Sequence, residues 1–96
     1  MIPPAARRFF ESPAPGDRIL VDTLLAYATA ELSLRRAADR LAVHPNTVTY
    51  RLHKLGRLLE RDLSTFSDLV EVLTWAQVID EATRPPLSPG RWPRRL

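Results

Sequence analysis

The sequence predicts an all-α fold, a small bundle of about four helices, and three observations carry that prediction. Between positions 17 and 83 there is one proline, Pro45, and one glycine, Gly56. Over the same stretch apolar residues recur at spacings of three and four, and no strand-like alternation interrupts them. The other prolines gather at the ends: Pro3, Pro4, Pro13 and Pro15 before the helical stretch, and Pro85, Pro86, Pro89 and Pro93 after it. At 96 residues a single domain is expected. Residues 1–16 read as a proline-rich N-terminal segment whose Phe9 and Phe10 are expected to dock on another part of the molecule, 17–83 as the domain, and 84–96 as a Pro/Arg-rich flexible tail.

Composition removes several classes of function. With no cysteine the chain cannot be a disulfide scaffold, a Cys-ligated zinc finger or a thiol-dependent enzyme. Hydrophobic residues make up 45%, too many for a disordered chain, yet no apolar run approaches the roughly 20 residues of a membrane helix. The first ten residues lack the apolar stretch of a signal peptide, so a cytoplasmic location is expected. His44 and His53 have no carboxylate or thiol set at ligand spacing, so no metal and no cofactor are expected. Neither a nucleophile elbow, a phosphate-cradling glycine loop nor a paired-carboxylate cleft is visible, which argues against an enzyme.

Each helix has its own signals. Asp17 suits the N-cap of the first, whose Leu20, Leu24 and Tyr27 form one stripe. Ser33 suits the cap of a short second helix with Ala37, Ala38 and Leu41 inward. Pro45 opens the third, over about 45–60, because its missing N–H costs nothing at the first helical position. Val48, Leu52, Leu55 and Leu59 form the buried stripe of that helix. Ser64 or Thr65 opens the fourth, over 65–82, where Leu69, Val70, Val72, Leu73, Trp75, Ala76, Val78 and Ile79 cover most of the circumference. A surface helix needs only one apolar stripe, so the excess suggests burial against its own bundle and also against a second chain or a neighbouring domain, with Val72, Trp75 and Ile79 the candidates for an oligomer interface. The alternative is that it is simply the central helix of a small bundle.

Charge is segregated along the chain. Residues 32–61 carry seven basic groups against Asp39 and Glu60, net +5, whereas 62–83 carry five acids and no Lys or Arg, net −5. A basic middle beside an acidic helix suggests that one part of the molecule meets a polyanion and another does not.

The basic middle contains the segment 33–55, SLRRAADRLAVHPNTVTYRLHKL. Ala37 and Ala38 are small enough for two helices to cross closely. Ala42-Val43-His44 is a three-residue turn with Val43 as its plug, and Val48 and Leu52 anchor the helix after it. This is the steric pattern of a helix-turn-helix. With Val48 inward, a rotation of about 100° per residue turns Asn46, Tyr50, His53 and Arg57 outward. Asn46, Thr47, Thr49, Tyr50 and His53 are the candidates for base contacts in a major groove, Asn suiting adenine and Thr the thymine methyl. Arg35, Arg36, Arg51, Lys54 and Arg57 are the candidates for phosphate contacts.

The residues Ala37-Ala38, Leu41, Val43-His44, Asn46-Thr47-Val48 and Tyr50-Arg51-Leu52 resemble the C-terminal helix-turn-helix of the PucR/CdaR family of bacterial transcription regulators, which includes purine-catabolism and sugar-diacid regulators. Thr23-Leu24 and Tyr27 resemble that family's preceding helix and Arg61-Asp62-Leu63 its exit, so the likeness runs over about 19–63. Glu60 departs from the family's pattern, which often has a helix-ending glycine there. The resemblance implies double-stranded DNA as partner and Asn46, Thr47, Tyr50 and Arg51 on the DNA-facing helix. It also implies an upstream effector-sensing region in longer members, so the chain is expected to be a C-terminal fragment or a short stand-alone member. One such unit makes few base contacts, and a homodimer or higher homo-oligomer on a repeated site, associated with the nucleoid, is therefore expected. The alternative is a helical interaction module whose functional surface is the apolar helix 65–82.

Overall fold

In a computed structural model of the chain, residues 1–83 are described. They form five α-helices and no strand: α1 (Pro4–Glu11), α2 (Arg18–Thr29), α3 (Leu34–Leu41), α4 (Pro45–Leu59) and α5 (Phe66–Thr83). The four expected helices are α2 to α5. The tail expected over 84–96 lies outside the described residues.

The first helix, α1, was not expected, because Pro3 and Pro4 read as breakers. They stand instead at its N-cap and first helical positions, where a proline loses no hydrogen bond. Ala6 is buried, and Phe9 and Phe10 pack against the core, edge-to-face with each other at a ring-centroid distance of 5.3 Å. The expected docking of the two phenylalanines is therefore realised on a helix, which packs along α5.

Local signals set most of the other boundaries. The Ser33 hydroxyl accepts the Arg36 amide at 3.1 Å and caps α3. Asp17 precedes α2 as expected but makes no capping bond; Asp22, one turn on, accepts from Arg18 Nε at 3.3 Å. Packing of α2, α3 and α4 on one another then buries Leu24, Ala37, Ala38, Val48 and Leu55 almost completely. Among the described residues Thr23 is the one buried polar residue of this core. Its hydroxyl donates to the Ile19 carbonyl at 2.7 Å, so the burial strands no side-chain donor.

Three helices end in the same way, each without glycine. After α2, α3 and α4 the chain turns through a left-handed residue: Glu31 (φ 58°), Ala42 (φ 59°) and Glu60 (φ 58°). In each case the next amide reaches back five residues: Leu32 to the Tyr27 carbonyl at 2.9 Å, Val43 to Ala38 at 3.0 Å, Arg61 to Gly56 at 2.8 Å. This is the Schellman closure, which satisfies carbonyls that the helix itself leaves open. Leu32 (φ 62°) is left-handed as well. The departure noted at Glu60 thus leaves the ending intact: the helix stops where a glycine would stop it, with a glutamate in the strained conformation.

Immediately after α4 the chain folds back against Gly56, which is buried inside that helix. A Cβ at this position would stand 2.5 Å from the Arg61 carbonyl oxygen and 3.3 Å from Leu63 Cγ. Arg61 then ties α5 to the end of α4. Its Nε donates to Glu71 Oε1 at 2.9 Å, its Nη1 donates to the Glu60 carbonyl at 3.0 Å, and the guanidinium lies 4.9 Å from the centroid of the Trp75 ring. The hydrogen bond to Glu71 is the main reason the Arg61 guanidinium holds its proton more tightly than usual, and the charges of Glu71, Asp68 and Glu60 add to it.

The interface expected on α5 is corrected by this packing. Val72, Trp75 and Ile79 are buried within the chain, at 0%, 4% and 2% exposure. An apolar circumference that reads as room for a second chain is largely covered by α1 on one side and the shared core on the other. Phe66, Val70 and Val78 are the large apolar residues of α5 that stay exposed among those described.

Two substitutions test the end of α4. In an open helix Gly→Ala would gain about 1 kcal/mol, but Gly56→Ala is expected to lose about 1–3 kcal/mol because its methyl meets backbone that cannot rotate away. Glu60→Gly is expected to gain about 0.5–1 kcal/mol by relieving the left-handed strain. Urea denaturation of both variants checks the two signs.

Candidate nucleic-acid interface

The start of α4 is built by two adjacent residues. Pro45 occupies the first helical position, which leaves His44 at the N-cap with extended backbone. The His44 Nδ1 accepts the Asn46 amide at 3.0 Å, satisfying one of the donors that a helix start leaves open. From there α4 runs 15 residues, about 22 Å, with Val48, Leu52, Leu55, Gly56 and Leu59 inward.

The opposite face is the one expected from helical phase. Asn46 at the helix start, Tyr50, His53, Lys54 and Arg57 are exposed, Tyr50 at 64%. Tyr50, His53, Lys54 and Arg57 line one shallow depression together with Leu58. Leu58, 49% exposed, is a member of this surface that sequence reasoning missed. Hydrophobic patterning assigns a leucine to a core, and only its phase, between the buried Leu55 and Leu59, places it outside.

The remaining predicted contacts divide. Thr47 and Arg51 lie on the flank, Arg51 half-buried. Thr49 points elsewhere: it borders a groove with Tyr27, Leu34, Leu52, Asp62 and Leu63, and its hydroxyl donates back to the Pro45 carbonyl at 3.4 Å. Arg35 and Arg36 are exposed on the first turn of α3. Arg36 Nη1 pairs with Glu31 Oε1 at 3.2 Å, a surface pair of low net worth that an anion can displace. Among the described residues no acid lies within ion-pairing distance of Arg35, Arg51, Lys54 or Arg57. Val72, Trp75 and Ile79 belong to the core and contribute nothing to a surface.

Next to this face, Asp62 closes the α4–α5 connection. Its Oδ1 accepts both the hydroxyl and the amide of Ser64, the latter at 3.0 Å, while its own amide donates to Asp68 Oδ2 at 2.7 Å. The two bonds from Ser64, the hydroxyl's first, hold the Asp62 carboxyl below its ordinary value, and the charge of His53 adds to them. Asp62, Asp68 and Glu71 are thus occupied with the chain's own amides, hydroxyls and Arg61.

A basic helix turned outward by a short, glycine-free reversal after Ala37 and Ala38 is the arrangement of a helix-turn-helix. The model of the PucR C-terminal helix-turn-helix domain matches residues 20–76, more than half of the sequence. The chain belongs to that family. No curated protein and no solved structure matches it. The matched span runs from α2 into α5, beyond the stretch whose residues carry the likeness by themselves. Membership in the PucR family makes this a domain of DNA-binding transcription regulation, with DNA as its partner. No helix among the described residues is long and apolar enough to cross a membrane.

Proposed function

We propose that the domain reads DNA sequence for a bacterial transcription regulator in the cytoplasm, at the nucleoid, with α4 lying in the major groove. The outward face of α4 carries this reading. It presents Asn46, Tyr50 and His53 in one line, with Lys54 and Arg57 beside them. The major groove, about 12 Å wide, admits a helix. A straight helix follows the curved groove only over its first turns, so Asn46, Thr47 and Tyr50 meet base edges, and His53 comes one turn later. Arg51, Lys54 and Arg57 meet phosphates as the helix leaves, with Arg35 and Arg36 supplying further contacts from α3. Thr49, turned toward the groove near Tyr27, contributes least.

A single unit of this size offers few base contacts, so the regulator acts as a homodimer on paired half-sites about one helical turn apart. The exposed Phe66, Val70 and Val78 of α5 supply apolar surface for such pairing. An effector-sensing region in a longer native chain belongs to the same proposal.

Selection of bound fragments from the source genome provides the operator for two tests. Asn46→Ala and Tyr50→Ala are expected to reduce preference for the operator over mixed-sequence DNA by roughly ten- to a hundredfold. Equal preference in wild type and both variants would remove the assigned groove face. In sedimentation, the protein with operator DNA is expected to run as two chains per duplex; one chain per duplex at all ratios contradicts the dimer.

A further inference from the structure

The hydrogen bond that caps α4 also decides which nitrogen of His44 carries the proton. A ring nitrogen that accepts a hydrogen bond is unprotonated, and Nδ1 accepts the Asn46 amide at 3.0 Å. Neutral His44 therefore carries its proton on Nε2. The two nitrogens lie at different corners of the ring, so with Nδ1 facing the helix start, Nε2–H faces away from it. His44 is exposed, and among the described residues no acceptor lies within hydrogen-bonding distance of Nε2. The result is one outward donor with a fixed direction, two residues before Asn46 at the end of α4 that enters the groove.

We propose that His44 is a DNA-backbone contact whose Nε2–H donates to a phosphate oxygen, and that the cap on Nδ1 orients this donor. The proposal rests on the DNA-reading function above and adds a residue which that reading does not use. Its chemistry differs from that of Lys54 and Arg57. A neutral imidazole neutralises no phosphate and releases no counterion, so it contributes direction without adding to the salt dependence of binding. Because phosphate carries no base identity, its contribution is the same on every sequence. A His44 that served only as a cap would add stability to the start of α4 and nothing else.

The test uses the whole chain and a mixed-sequence duplex of about two helical turns at low salt, with His44→Ser as the variant. Serine keeps an N-cap acceptor but has no donor that reaches as far. The expected result is a melting temperature close to wild type, affinity about tenfold weaker, and an unchanged slope of log affinity against log salt. Wild-type protein that binds while His44→Ser binds equally well overturns the contact and leaves the DNA-reading function standing. Wild-type protein that retains no duplex overturns both. A second measurement avoids any dependence on how the variant folds. Imidazole ¹⁵N spectra of wild-type protein are expected to show Nδ1 unprotonated and Nε2 protonated, with Nε2–H shifting and its exchange slowing when duplex is added. The opposite tautomer, or an Nε2–H indifferent to DNA, overturns the proposal.

Discussion

The direction in which α4 leaves the core depends on one backbone reversal. Ala42 takes a left-handed conformation that costs a non-glycine residue about 1–2 kcal/mol. It holds because the Val43 amide reaches back to the Ala38 carbonyl and because the small Ala37 and Ala38 bury that face of α3 completely against the core. Val43 packs against the same core from the turn. With that reversal made, Pro45 starts a new helix at once and His44 is left to cap it. Every outward residue of α4 inherits its position from this short segment, since a change of direction at Ala42 would swing the whole helix.

The far end of α4 is constrained as strongly, by different means. Gly56 admits the Arg61 carbonyl into the space a side chain would fill, so the chain turns back tightly at Glu60. Arg61 then directs its charge inward, onto Glu71 and the Trp75 ring. The basic segment and the acidic helix, +5 and −5 by their side chains, meet at this contact. The cations that remain outward on α4 have no acidic partners among the described residues. Such a surface suits a polyanion, in keeping with the family to which the chain belongs.

Much of the site was legible in the residues. Helical phase needs only the identity of the buried positions, and Val48, Leu52, Leu55 and Leu59 determine it without ambiguity. Asn46, Tyr50, His53 and Arg57 therefore fall on the opposite side whether or not a structure is known. Pro45 and Ser33 mark their boundaries through backbone chemistry that acts locally. The N-terminal segment was less legible because a proline pair can break one helix or begin another. The residues after the pair choose between the two, and here Ala6, Phe9 and Phe10 find α5 to pack on. Arg61 was less legible for a related reason, since its placement depends on a neighbour in space. A long cationic side chain near a basic face reads as part of that face until a distant Glu71 is brought beside it.

Periodicity, caps and turn length act over a few residues, and they suffice for the all-α class, the helix-turn-helix and the inward and outward faces of α4. These properties belong to the chain before it folds. The fate of α5 does not, because its apolar circumference is the same in a buried helix and in an interface helix, and burial depends on which neighbour arrives. In this fold α1 covers one side of it and the shared core the other, so Val72, Trp75 and Ile79 became core, while Phe66, Val70 and Val78 kept their exposure. The conformations of Ala42 and Glu60 were settled at the same tertiary level, since neither residue favours a left-handed turn and only the packing around them holds it in place.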